Sequence, residues 1–221
     1  MPTSPEEKGM GQNDPKLATW AEGVYRPEDA ILLEIRERSV REGLPAIAVG
    51  RFDGLHLEIL ARACRARMVV EIGTLGGYSG VCLLRGMAEG GELYTFEYSP
   101  KHAEVAKESF AKAGFAERVQ IRVGPAIEKL KEIEARGPFD LVFIDADKVS
   151  YPAYLDWAAR NLKVSGVVLG DNAFGWGQVP DSTEPGPSAL REFNQKLGSD
   201  KRWRATMIPT AEGLAMGVKV R

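Results

Sequence analysis

From Met68 onward the chain repeats one rhythm: a short apolar run, a break, then a stretch with helical periodicity. M-V-V-E-I precedes Y-S-G-V-C-L-L-R-G-M-A, L-Y-T-F-E precedes P-K-H-A-E-V-A-K-E-S-F-A-K-A-G, and R-V-Q-I-R-V precedes A-I-E-K-L-K-E-I-E-A. F-D-L-V-F-I-D, Y-P-A-Y-L-D-W-A-A-R-N-L and V-V-L-G-D-N carry the pattern on. Strands joined by helices are parallel strands, because only a crossover of that length returns the chain to the same edge. The alternation therefore predicts an α/β fold, a doubly wound and mostly parallel sheet with helices on both faces. Uninterrupted apolar runs such as L-V-F-I fit strands buried on both sides. After a Pro- and Gly-rich loop at residues 175–187, a helix is expected over 188–197. W-R-A-T-M-I-P and L-A-M-G-V-K-V then supply a C-terminal antiparallel hairpin, for seven strands in all.

Residues 1–25 are expected to be an N-terminal arm, rich in Pro, Gly, Lys and Glu over its first 20 positions and available to order against a partner subunit. Residues 26–221 then form one domain. A helix is marked from Pro27 by acids in its first turn, basic residues later and a terminal glycine, and a second is expected over 55–66. With 44% hydrophobic residues among 221, the chain has enough apolar surface for one core. A formal charge of -2 offers no electrostatic reason to bind nucleic acid. No run approaches the ~18–20 apolar residues of a membrane span, and the polar start lacks the apolar core of a signal peptide, so a cytoplasmic location is expected. Cys64 and Cys82 read as free, buried thiols, without metal-ligand spacing.

In open parallel sheets, ligands gather beyond the carboxyl ends of the strands. Here those ends carry Glu71 and Gly73, Glu97, residues 124–126, Asp145, and Asp171 with Asn172. A pyrophosphate would need positive charge; a crowd of carboxylates suits a ligand with cationic groups and hydroxyls. Glu97 lies 24 residues beyond Gly73, near the interval at which an acid reaches a ribose in nucleotide-binding sheets. Gly73 through Gly77 let backbone approach a ligand, and Ser79, in the first turn of the next helix, can bind a small carboxylate. An amino-acid carboxylate together with a ribose points to S-adenosylmethionine. Asp145, Asp171 and Asn172 offer hard oxygen donors that suit Mg²⁺ or Ca²⁺, with Mn²⁺ a further candidate. Zinc is disfavoured, because no His or Cys lies in these motifs. Each motif taken alone also fits a helix cap or a tied loop.

In combination, E-I-G-T-x-x-G-Y-S, F-I-D-A-D-K-x-x-Y, a D-N after a strand, L-R-x-F-N and a late E-G-L resemble the cation-dependent O-methyltransferases that include catechol and caffeoyl-coenzyme A methyltransferases. The resemblance spans roughly residues 45–220. It implies a Rossmann-like sheet and an S-adenosylmethionine-dependent methyltransferase domain. Glu71, Gly73, Thr74, Ser79, Glu97, Ala126 and Asp145 would line the cofactor site, with a backbone contact from Val49. It further implies Asp145, Asp171 and Asn172 as metal ligands, Lys148 as the catalytic lysine, an aromatic vicinal diol as small-molecule acceptor, and a homodimer. A phenol ionises near pH 10, so the acceptor hydroxyl needs a dication and a base; Lys148 would take the proton if its own pKa were depressed near the metal.

The chain departs from this pattern in three places, one of them the stretch before Leu44, which shows little that matches it. G-R-F-D-G at residues 50–54 replaces a more usual acidic-basic or Pro-Glu-Gln-Gly segment, and Trp176 falls one place late, leaving Gly175 where an aromatic is frequent. Trp176 either lines the acceptor pocket or packs under its loop. His56 and His102 are expected in helices outside the strand-end cluster. Two other functions fit part of the same pattern: methylation of a hydroxylated uridine in tRNA, whose binding would weaken steeply with salt, and a non-catalytic nucleotide-binding module.

Overall fold

A computed structural model of the chain describes residues 15–221. Its strands, in chain order, are β1 (Met68–Ile72), β2 (Glu92–Glu97), β3 (Val119–Val123), β4 (Phe139–Ile144), β5 (Leu162–Gly170), β6 (Trp203–Ile208) and β7 (Leu214–Lys219). They form one sheet in the order β3-β2-β1-β4-β5-β7-β6, parallel from β3 through β5 and antiparallel at the β7–β6 hairpin. This is the expected mostly parallel sheet with its closing hairpin.

Eight α-helices accompany it among the described residues: α1 (Pro15–Tyr25), α2 (Ala30–Arg41), α3 (Arg51–Ala63), α4 (Tyr78–Gly86), α5 (Pro100–Lys112), α6 (Ala126–Lys129), α7 (Tyr151–Asn161) and α8 (Pro185–Ser199). Strand alternation sends Val70 and Ile72 to one face, against Phe139, Trp157 of α7 and Phe193 of α8. Val69 goes to the other face, with Leu57 of α3, Val81 of α4 and Phe110 of α5. Helices thus cover both sides, and each fully buried aliphatic or aromatic side chain contributes about 1.5–3 kcal/mol.

Three segments differ from the sequence expectation. The expected arm contains α1, which buries Ala21 but leaves Trp20 and Val24 exposed; the remainder of that arm, residues 1–14, lies outside the described residues. The helix expected over 55–66 starts earlier, at Arg51, directly after Gly50. The helix expected at A-I-E-K-L-K-E-I-E-A is a single α-turn, α6, continued as 3-10 turns over Leu130–Arg136. Its buried pair, Leu130 and Ile133, is three residues apart, the spacing that three residues per turn stacks on one side.

The strand order reverses between β1 and β4, so the chain leaves their ends in opposite directions and a crevice opens there. Pairing continues one step past the strands: Gly73 N donates to Phe96 O at 3.0 Å, Asp145 N to Ile72 O at 2.8 Å, and Asp171 N to Ile144 O at 3.0 Å. Gly73, Asp145 and Asp171 therefore stand side by side on three adjacent strands.

Candidate active site at the strand ends

The crevice is a cavity of about 680 Å³, a volume suited to a drug-sized ligand. Val49, Gly73, Thr74, Ser79, Glu97, Ala126, Asp145, Lys148, Asn172 and Trp176 line it, from segments up to 127 positions apart in the chain. Gly73 is fixed by close packing. At φ +99 it occupies a conformation that favours glycine, and a Cβ there would meet Asp145 O at 1.9 Å. Its smallness is what lets the end of β1 approach the end of β4.

Glu97 is clamped before any ligand arrives. Its Oε2 accepts from Leu75 N at 2.8 Å and Thr74 N at 3.3 Å, and its Oε1 from Ser99 N at 2.9 Å. The glycine loop and the start of α5 thus present one carboxylate in a fixed orientation. His102 Nδ1 lies 3.3 Å from the same Oε1, and His102 lines the cavity. This corrects the expectation that His102 falls outside the cluster; α5 packs close enough to bring its first turn to the β2 end.

Two expected site residues lie beside the cavity without lining it. Glu71 has no exposed surface and does not line the cavity. It shares the Val69 face of β1, beneath α4, where its Oε1 accepts from Ser79 Oγ and its Oε2 from Thr95 Oγ1, both at 2.6 Å. Burial pushes its pKa up; the two hydroxyls oppose this, Asp145 and Glu97 add to it, and the result is about 7. Glu71 therefore braces Ser79. Asp171 is also buried, at 3% exposure, behind the cavity-lining residues.

Lys148 reaches back toward the β4 end. Its Nζ donates to Asp145 Oδ1 and to Tyr151 Oη, both at 2.9 Å. Tyr151 Oη lies 3.1 Å from Ile144 O and from Asp171 O, so it can donate to the carbonyl at either of two adjacent strand ends. Burial alone would lower the Lys148 pKa, but the Asp145 carboxylate and Tyr151 outweigh it and raise the value. The Asp145 carboxylate beside the amine thus favours the ammonium, and the depression expected from sequence depends on a metal at that carboxylate. Tyr151 was the Y of F-I-D-A-D-K-x-x-Y; its three-residue spacing from Lys148 was the available signal.

Asn172 Nδ2 donates to the carboxylate of Glu212, in the late E-G-L, and both residues border the cavity. With its nitrogen so engaged, the amide directs its oxygen away from Glu212. No group of three or more His, Cys, Asp or Glu residues placed to hold a metal occurs among the described residues; the candidate donor set is two carboxylates and one amide. Trp176 lines the cavity and is half exposed, so it does not pack under its loop. Gly175 explains the displaced tryptophan, since a Cβ at that buried position would meet Val179 Cγ2 at 2.6 Å. Cys82 is buried, Cys64 half-buried, and both are free thiols. No helix among the described residues is long and apolar enough to cross a membrane.

The family model described as O-methyltransferase matches residues 22–220. The chain belongs to the O-methyltransferase family. It is 42% identical over 205 residues to a catechol O-methyltransferase of Mycobacterium tuberculosis, covering 91% of this chain and 93% of that one. With a catechol O-methyltransferase of Niastella koreensis it shares 39% identity over 200 residues, or 86% and 90% of the two chains. Among solved structures, an O-methyltransferase from Bacillus cereus in complex with S-adenosylhomocysteine superposes with a TM-score of 0.87 at 35% identity, covering 92% of this chain and 97% of that chain.

Proposed function

We propose that this O-methyltransferase transfers a methyl group from S-adenosylmethionine to one hydroxyl of an aromatic vicinal diol, assisted by a divalent cation. The observation that supports it is a single cavity with a clamped Glu97 and glycine loop on one side and Asp145, Lys148 and Asn172 on the other. The catechol names of two relatives near 40% identity point to the same acceptor class.

On the cofactor side, Glu97 would accept bonds from the two ribose hydroxyls and Ser79, at the start of α4, would hold the amino-acid carboxylate. Val49, Gly73, Thr74 and Ala126 would shape the walls, and Asp145 would face the amino group. Hard oxygens on Asp145, Asp171 and Asn172 fit Mg²⁺, Ca²⁺ or Mn²⁺ in their chemistry, and their places at two neighbouring strand ends fit one ion. When bound, the dication supplies Lewis acidity that lowers the acceptor's pKa, and its charge offsets that of Asp145. Burial, which disfavours the ammonium, then counts for more at Lys148, and its Nζ takes the hydroxyl proton. Tyr151 keeps that Nζ in place. Trp176 would cover the aromatic ring, and the walls exclude water while oxygen and methyl are held in line.

The test is methyl transfer from S-adenosylmethionine to a panel of catechols, with Mg²⁺ and with chelator. Turnover is expected only with the cation, and only in a chain that retains Asp171; Asp171→Ala should abolish it. Equal turnover in chelator, or full activity of Asp171→Ala, refutes the cation's role.

A further inference from the structure

We propose that Arg36 is a positioning residue for the cofactor, holding the wall formed by residues 45–49 through the carbonyl of Val49; this rests on the cavity being the S-adenosylmethionine site. That wall, between α2 and α3, belongs to no helix or strand, yet Pro45, Ile47, Ala48 and Val49 all border the cavity. A segment of this kind takes its position from side chains that grip its backbone. Arg36 Nη2 donates to Val49 O at 2.8 Å. The guanidinium also sits over the ring of Tyr78, the first residue of α4, with Cζ 3.9 Å from the ring centroid.

Arg36 is in turn held from behind. Its Nε pairs with the Glu28 carboxylate, which also accepts from Tyr78 Oη at 2.9 Å. The second oxygen of Glu28 lies 2.9 Å from Arg51 Nε, and Arg51 Nη1 donates to Glu22 Oε2 at 2.7 Å. Acid and base alternate along this line, from Glu22 of α1 to Arg51 of α3, Glu28, Arg36 of α2 and the cavity wall. Glu28 is 6% exposed and Arg36 14%, so water screens the inner links little. Arg51 belongs to G-R-F-D-G, the segment in which the chain departs from the usual pattern. Its guanidinium ties the start of α3, directly after the wall, to Glu28 by an ion pair. A planar, forked group is required at position 36, because one side chain must stack on a ring, meet a carboxylate and reach a carbonyl together.

Titration calorimetry of the full chain with S-adenosylhomocysteine tests this. Arg36→Ala is expected to raise Kd about tenfold, Arg36→Lys to give an intermediate value, and Arg51→Gln about a threefold rise. With catechol as acceptor, kcat at saturating S-adenosylmethionine and the acceptor KM should each stay within about twofold, since neither depends on how tightly the cofactor is first captured. A purely structural role would lower the melting temperature of these variants without moving Kd, and that outcome overturns the proposal. Should Arg36→Ala fail to fold, unchanged Kd values in both Arg36→Lys and Arg51→Gln overturn it equally. Absence of binding by the unaltered protein would instead remove the proposed function, and this inference with it.

Discussion

Glu71 carries the sharpest consequence of the buried geometry. Its carboxyl has no exposed surface, and burial, with Asp145 and Glu97 nearby, lifts its pKa to about 7 from the usual 4.5. The unfolded chain gives up this proton near pH 4.5, whereas the folded chain keeps it until about pH 7. Between those values the folded state binds more protons, so its stability falls as pH rises. The contribution is fully present below pH 4.5 and gone above about pH 7. The gap is about 2.5 pH units; at about 1.4 kcal/mol per unit, the loss comes to about 3 kcal/mol. Glu71→Gln removes the titration but keeps the shape. The hydroxyls of Ser79 and Thr95, which now donate to the carboxylate, can each donate or accept, so the amide finds partners in both. Urea unfolding of both proteins in chelator, from about pH 4.5 to pH 8, measures the effect as a difference between two curves. The variant should gain about 3 kcal/mol on the parent across that range. Parallel curves would refute the argument, because they would mean that Glu71 ionises as readily in the fold as outside it.

Gly73→Ala should cost about 3–4 kcal/mol and depress turnover, since the new Cβ both strains φ +99 and forces Asp145 O aside from 1.9 Å; a thermal melt within a few degrees of the parent would contradict this. Tyr151→Phe removes one partner of Lys148 and leaves two carbonyls without that hydroxyl, so stability should fall by about 1–2 kcal/mol. Its kcat should fall about tenfold while S-adenosylhomocysteine still binds within about twofold, as separate kinetic and calorimetric measurements would show. Trp176→Ala, at a half-exposed residue on the cavity rim, should raise acceptor KM about five- to tenfold with little change in melting temperature; an unchanged KM would place the aromatic ring elsewhere.

Much of the architecture was legible because it is written in local periodicities. Runs such as M-V-V-E-I and F-D-L-V-F-I are short, apolar and bounded by chain breaks, which marks them as strands, and the helical stretches between them require parallel pairing. The residues that terminate those strands follow directly, so Gly73, Glu97 and Asp145 could be named before their positions were known. The α-helix expected after β3 failed as a local prediction, because buried residues three apart suit a 3-10 turn as well as an α-turn.

By itself, then, the sequence determined which residues enter the sheet and which end it, since alternation and chain breaks are properties of neighbouring residues. Only the tertiary structure decided which ends meet. The reversal between β1 and β4 sets Asp145 against Gly73 across 72 positions, and the face of β1 that α4 covers turns Glu71 inward to brace Ser79. Packing of α5 brings His102 to Glu97, and the folding of α1 to α3 over the crevice gives Arg36 its hold on Val49. A periodicity fixes direction along one segment, but contact between distant segments is chosen by the packing of the whole core.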